Sequence, residues 1–91
     1  MKAVRLLVSG RVQGVAFRHF TRQLARELGV VGTVANLADG RVEIEAAGTP
    51  EALAELERRV REGPPAARVA GVERHELDEA PARDGFDVVY K

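Results

Sequence analysis

Cysteine is absent from this sequence, which removes disulfide frameworks, thiolate nucleophiles and most structural zinc sites from consideration. The two histidines, His19 and His75, are isolated and fall short of a zinc ligand set, so no metal is expected. Tryptophan is also absent, and three phenylalanines and one tyrosine are the whole aromatic complement. Fourteen basic residues balance fourteen acidic ones, so no bulk field favours nucleic acid or an anionic membrane, and any anion must be caught locally. Long apolar runs are lacking too. The opening "MKAVRLLVSG" is broken by Arg5 and is far shorter than a signal-peptide core or the roughly 20 residues of a membrane span. These absences set the expectation of a reducing, cytoplasmic location without membrane or nucleic-acid partners. There is no internal repeat and no low-complexity linker, so residues 1–91 are expected to form one domain. At that size a chain buries only about 60 to 65% of its unfolded surface, enough for one thin core.

What is present alternates between two periods. In "KAVRLLV" Val4, Leu6 and Val8 share one face with period two, which suits a strand over a core. From Phe17 the period changes. Phe17, Phe20, Leu24 and Leu28 recur at three and four residues, Arg22, Arg26 and Glu27 are expected to turn away, and Gly29 gives a stop signal. "VVGTVANL" reads as a strand, and the Asp-Gly of "ADGR" turns it into "RVEIEAA". There Val42, Ile44 and Ala46 face one way and Arg41, Glu43 and Glu45 the other, so one face alone is expected to be buried. In "GTPEALAELERRVREGPP", Thr49 is the expected N-cap and Pro50 the first helical residue. Ala52, Leu53, Leu56 and Val60 make the apolar stripe, and Glu55–Arg59 and Glu57–Arg61 stand at ion-pair spacing. "ARVAGVERHEL" and "GFDVVYK" read as two further strands joined by the loop "DEAPARD". The order is strand, helix, strand, strand, helix, strand, plus a C-terminal strand. Right-handed crossovers then predict the split βαβ, ferredoxin-like α+β arrangement: a mostly antiparallel sheet with two helices on one face.

The stretch "SGRVQGVAFRHF" joins the first strand to the first helix. Gly10 and Gly14 let the backbone approach a ligand, and a loop entering a helix N-terminus presents unpaired N–H groups and the positive end of the helix dipole. Arg18, in the first turn, could add a bidentate grip on the same anion. The structural alternative is a tight turn followed by a solvated arginine, and the loop alone does not decide between them. Asn36 is the single asparagine in the chain. Taken by itself it could equally serve a turn at a strand end.

"SGRVQGVAFR" resembles the signature of the acylphosphatase family, with its glycine, Val-Gln-Gly-Val, aromatic and arginine at this spacing, and "GTVANLADGRVEIEAAG" resembles the family's second signature. The resemblance spans the whole length. It implies that the backbone amides of Gly10, Arg11, Val12, Gln13, Gly14 and Val15 cradle a phosphate, that Arg18 binds it, and that Asn36 holds an attacking water. The substrate class it implies is a small acyl phosphate, hydrolysed without metal or cofactor. Thr33 departs from the aromatic usual after the glycine and Ala35 from a longer, often basic residue, which bears on local packing and the rim of the site.

Neither Arg18 nor Asn36 exchanges protons near neutrality, so general acid–base catalysis is not available to this pair. An acyl phosphate needs none, because its leaving carboxylate has a conjugate acid of pKa roughly 4. His19 is expected at the surface, since consecutive helical residues point about 100 degrees apart, and His75 is expected to be exposed in a charged strand. Phe17, Phe20, Phe86 and Tyr90 are assigned to packing, and Gln13 to fixing a turn. An RNA-binding domain of the same fold would carry a pair of stacking aromatics in a known signature, which these strands lack. The other rival is a carbamoyl-phosphate-handling module of a larger protein. A chain running from Met1 to just beyond its last strand sets the expectation of a free-standing enzyme, and small size with a solvated strand face that of a monomer.

Overall fold

A computed structural model describes residues 1–91. The chain runs β1 (Lys2–Arg11), α1 (Phe17–Leu28), β2 (Val31–Asn36), β3 (Val42–Gly48), α2 (Pro50–Glu62), β4 (Arg68–Glu76) and β5 (Phe86–Val88). The five strands form one sheet in the order β4-β1-β3-β2-β5. β3 lies antiparallel between β1 and β2, β4 flanks β1 antiparallel, and β5 runs parallel to β2. α1 packs on β2 and β5, and α2 on β4, β3 and β1. This is the ferredoxin-like α+β sandwich expected from the order of elements. β1 and β2 point the same way with β3 between them, so the C-terminal end of β2 comes beside the loop that leaves β1 for α1.

Alternation places the core. Val4, Leu6 and Val8 of β1 and Val42, Ile44 and Ala46 of β3 are buried under the helices, together with Leu53, Leu56 and Val60 of α2. Thr49 caps α2 as expected, its Oγ1 accepting from Ala52 N at 3.1 Å, with Pro50 in the first turn. The ion pairs on that helix differ in part from the spacing argument. Arg61 does meet Glu57 at 2.9 Å, but Glu55 is taken by Arg58, one turn away at i+3, at 2.6 Å. In α1 the buried face is Phe17, Thr21, Leu24 and Ala25, while Phe20 and Leu28 are half-buried. Thr21 is tolerated there because its Oγ1 donates to Phe17 O at 2.9 Å, leaving no polar hydrogen unmet.

Two expectations about burial fail. The second face of β3 is not simply open: Glu43 is 5% exposed, between Arg5 Nη2 at 2.7 Å and Lys91 Nζ. The reason is the C-terminal tail. β5 is only three residues long, Val89 N still donates to Val34 O at 2.9 Å, and the chain then continues so that Lys91 covers Glu43. Tyr90, assigned to packing on sequence grounds, is 84% exposed, because the strand pattern ends before it. Phe86 fills the core position instead.

Burial alone would raise the Glu43 pKa, but the hydrogen bonds from Lys91 and Arg5 outweigh it and hold the carboxyl below its ordinary value. A group lowered in the native state contributes stability that is complete above the unfolded value, 4.5 for glutamate, and is lost as pH falls through the native one. Glu43→Gln is therefore expected to cost about 1 to 2 kcal/mol at pH 7 in urea unfolding, discounted because both cations are partly solvated. The gap should narrow as pH falls below 4.5, the unfolded value, and through the lower native one; a gap of constant size from neutral to acid pH would refute this role.

Candidate active site

The chain leaves β1 at Arg11 and must enter α1 at Phe17 within a few residues. Val12 is buried and ties the turn to the core. Gly14 (φ 75°) and Ala16 (φ 63°) then take left-handed conformations at alternate positions. Glycine accepts this without cost, whereas alanine carries about 1 to 2 kcal/mol of strain, and strain of that size is commonly retained at ligand sites. Alternation of this kind turns neighbouring amides towards one side, as in backbone nests that bind anions. Twelve backbone hydrogen bonds form outside the helices and strands, and none is donated by an N–H between Val12 and His19. The first amide of α1 with a partner is that of Phe20, on Ala16 O at 3.0 Å.

The start of α1 has an unusual charge pattern. Acidic side chains suit a helix N-terminus and cations do not, yet the first turn holds no acid and has no side-chain cap. It carries Arg18, followed one turn later by Arg22, and like charges at i, i+4 repel. Both arginines line one concave pocket of about 310 Å³, with Val12, Gly14, Ala16, Phe17, His19, Asn36, Val88 and Tyr90. No carboxylate lines it, so dipole, amides and guanidinium groups act in the same direction. That sum attracts an anion, and the volume is at the small end of ligand sites.

The Arg18 guanidinium carbon lies 5.5 Å from the Tyr90 ring centroid, a cation–π contact that uses none of its N–H donors. Asn36 is the last residue of β2, on the same side of the sheet as Val34. The residue lines the pocket, and its Oδ1 is buried with no hydrogen-bond partner. Gln13 explains how loop and strand keep register: its Nε2 donates to Leu37 O at 2.8 Å and Arg41 O at 3.0 Å. The β2–β3 turn that follows Asn36 is thereby tied to the loop that precedes Arg18.

Of the residues singled out in the sequence, Arg18 and Asn36 do come together, and Val12 and Gly14 line the same pocket. Gly10 and Arg11 stay in β1, in register with Val69 and Arg68, and neither they nor Gln13 and Val15 line the pocket. The glycine at position 10 answers to β4. It has φ 118° beside the register shift between Ser9 and Gly10, and a Cβ there would lie 2.2 Å from Arg68 O and 2.6 Å from Ala70 N. Arg22, expected to turn away, is half-buried on the pocket wall; its spacing of four from Arg18 was the available signal. His19 is exposed as expected, although it also borders the pocket. Thr33 and Ala35 pair with Glu45 and Glu43 on the opposite face of the sheet and do not reach the rim.

No group of three His, Cys, Asp or Glu side chains capable of holding a metal occurs in the chain, and no helix is long and apolar enough to cross a membrane. A split βαβ sheet with a cationic, carboxylate-free pocket at its first crossover defines the class: a ferredoxin-like α+β sandwich. The acylphosphatase family model matches residues 4–88. The chain is 54% identical over 87 residues to an acylphosphatase of Rubrobacter xylanophilus, covering 96% of this chain and 79% of that one. It is 49% identical over 90 residues to an acylphosphatase of Archaeoglobus fulgidus, covering 99% and 100%. The crystal structure of acylphosphatase from Bacillus subtilis superposes with a TM-score of 0.95 at 38% identity, over 99% of this chain and 100% of that one. The chain belongs to the acylphosphatase family.

The two loop glycines should separate experimentally. Gly10→Ala is expected to destabilise by about 2 to 4 kcal/mol, because main chain of β4 would have to move. Gly14→Ala, with nothing within 4 Å of the added carbon, should cost only the left-handed strain, about 1 to 2 kcal/mol. Equal losses in chemical denaturation would contradict this division.

Proposed function

We propose that this protein hydrolyses the carboxyl–phosphate bond of small acyl phosphates to a carboxylate and inorganic phosphate, without a metal ion or organic cofactor. The observation that carries the reading is the meeting of Arg18 and the unpartnered Asn36 Oδ1 in one carboxylate-free pocket, beside a run of unpaired amides. In this reading the phosphoryl group sits against the N–H groups between Val12 and the start of α1. Arg18 shares the equatorial oxygens through its fork, with the Tyr90 ring against its guanidinium. The Asn36 carboxamide accepts a hydrogen bond from water and sets it in line with the scissile bond.

The balance of the step explains why these groups suffice. The water oxygen forms a bond to phosphorus as the bond from phosphorus to the carboxyl oxygen breaks. The electron pair departs with a carboxylate that is stable unprotonated, because its conjugate acid has a pKa of roughly 4. The proton released from water ends on the product phosphate or in solvent. The protein's share is therefore neutralisation of charge on the transferring phosphoryl group and positioning, the two terms that dominate phosphoryl transfer. A phosphate monoester would expel an alkoxide, which neither the guanidinium of Arg18 nor the carboxamide of Asn36 protonates near neutrality.

Arg18→Ala is expected to lose phosphate binding and acetyl phosphate hydrolysis together. Asn36→Ala should lower kcat by about 100- to 1000-fold while inhibition by inorganic phosphate stays close to that of the parent. Phosphate release from acetyl or benzoyl phosphate in the presence of a metal chelator is the decisive assay. Hydrolysis at the parent rate by Arg18→Ala, or activity abolished by chelation, would overturn the proposal.

A further inference from the structure

Three arginines of α1, Arg18, Arg22 and Arg26, stand four residues apart and so form one row along the helix. The third is satisfied: Arg26 Nε donates to Phe86 O at 3.2 Å, and its guanidinium lies 3.7 Å from Asp87 Oδ1. The first is accounted for by the proposed phosphoryl site. The second is not accounted for. Arg22 makes no ion pair, its Nε is buried without a hydrogen-bond partner, and its one polar contact is Nη2 to His19 Nδ1 at 3.2 Å. Guanidinium can only donate, so His19 accepts there as the neutral ring with its hydrogen on Nε2. That contact steadies the Arg22 side chain and leaves its positive charge uncompensated.

A cation that lines a pocket without a counter-ion is stabilised by an anion bound beside it. Arg22 lies one helical turn, roughly 5 Å, beyond Arg18, on the side of the pocket away from the amides of the loop. A group placed there is part of the same substrate but is not the transferring phosphoryl group. A short acyl chain ending in an anion spans a distance of this order. We infer that Arg22 is a specificity-determining residue that binds a second anionic group on the acyl portion, so that the preferred substrates are acyl phosphates of short dicarboxylic type. This inference rests on the function proposed above.

The test compares succinyl phosphate with acetyl phosphate in the parent, Arg22→Gln and Arg22→Lys. The parent should have the higher kcat/KM for succinyl phosphate. Arg22→Gln should reduce the succinyl-to-acetyl ratio by about 10- to 100-fold, the loss expected for one charge-assisted contact. Arg22→Lys should recover part of it, since charge is kept and the fork is lost, which separates the effect from misfolding. The preference should also weaken with added salt. Calorimetric binding of the non-hydrolysable succinyl and acetyl phosphonates reads the same ratio without turnover. If neither acyl phosphate is hydrolysed, the proposed function falls while the phosphonate ratio still decides the role of Arg22. A parent without preference for the dicarboxylic ligand overturns the inference. So does an Arg22→Gln ratio equal to the parent's, including the case where both ligands and inorganic phosphate weaken together, which would make Arg22 a second phosphate ligand.

Discussion

The structure turns on a concentration of positive charge at the start of α1 that nothing in the protein neutralises. Helix dipole, unpaired amides and two arginines one turn apart all have the same sign. Elsewhere most cations are matched, as in Arg58 with Glu55, Arg61 with Glu57 and Arg5 with Glu43. A chain with zero formal net charge thus holds two arginines without carboxylate partners in one pocket. The arrangement costs stability without an anion, through repulsion at i, i+4 and through the dipole. The family to which the chain belongs gives that cost a purpose, and on the proposed reading the transferring phosphoryl group offsets it.

The sheet topology makes the pocket possible from residues far apart in sequence. β3 between β1 and β2 fixes both strands in register through continuous antiparallel pairing, so the end of β2 is placed relative to the β1–α1 turn by backbone alone. Gln13 then adds a direct tie from that turn to Leu37 and Arg41, on either side of the hairpin loop. Arg18 and Asn36 are brought together by main-chain geometry and one amide side chain. A site that needs charge placed rather than moved is served by such stiffness, because reorganisation during the reaction would forfeit the electrostatic gain.

Much of this could be read from the sequence, and the parts that could not share a cause. The Thr49 cap, the apolar stripe of α2, the Asp-Gly hairpin and the order of elements are local signals, and local chemistry decides them. Arg18 and Asn36 were legible because their motifs tie residue type to spacing. Arg22 was misread because an arginine between Thr21 and Gln23 looks like a solvated helix face, and only the tertiary position of β2 and β5 converts that face into a pocket wall. Glu43 was misread for the same reason, since alternation along β3 says which residues point away from the core but not what covers them. Tyr90 was placed in the core by extending the strand period beyond Val88, where pairing with β2 had already ended. Gly10 shows the converse: its conformation follows from the main chain of β4, sixty residues on, and not from the loop beside it.

The C-terminal tail accounts for two of these misread residues, Glu43 and Tyr90. Val89 N on Val34 O keeps the tail against β2 beyond the end of β5, and Lys91 is then held on the far face of the sheet by Glu43. Tyr90 lies between these two anchors, on the pocket side, under Arg18. An exposed tyrosine would ordinarily sample several rotamers. Here the main chain on both sides of it is tied, by Val89 N to Val34 O and by Lys91 to Glu43. The Tyr90 ring lies 5.5 Å from the Arg18 guanidinium carbon, a cation–π contact that consumes none of the five N–H donors, so all of them stay available to an anion.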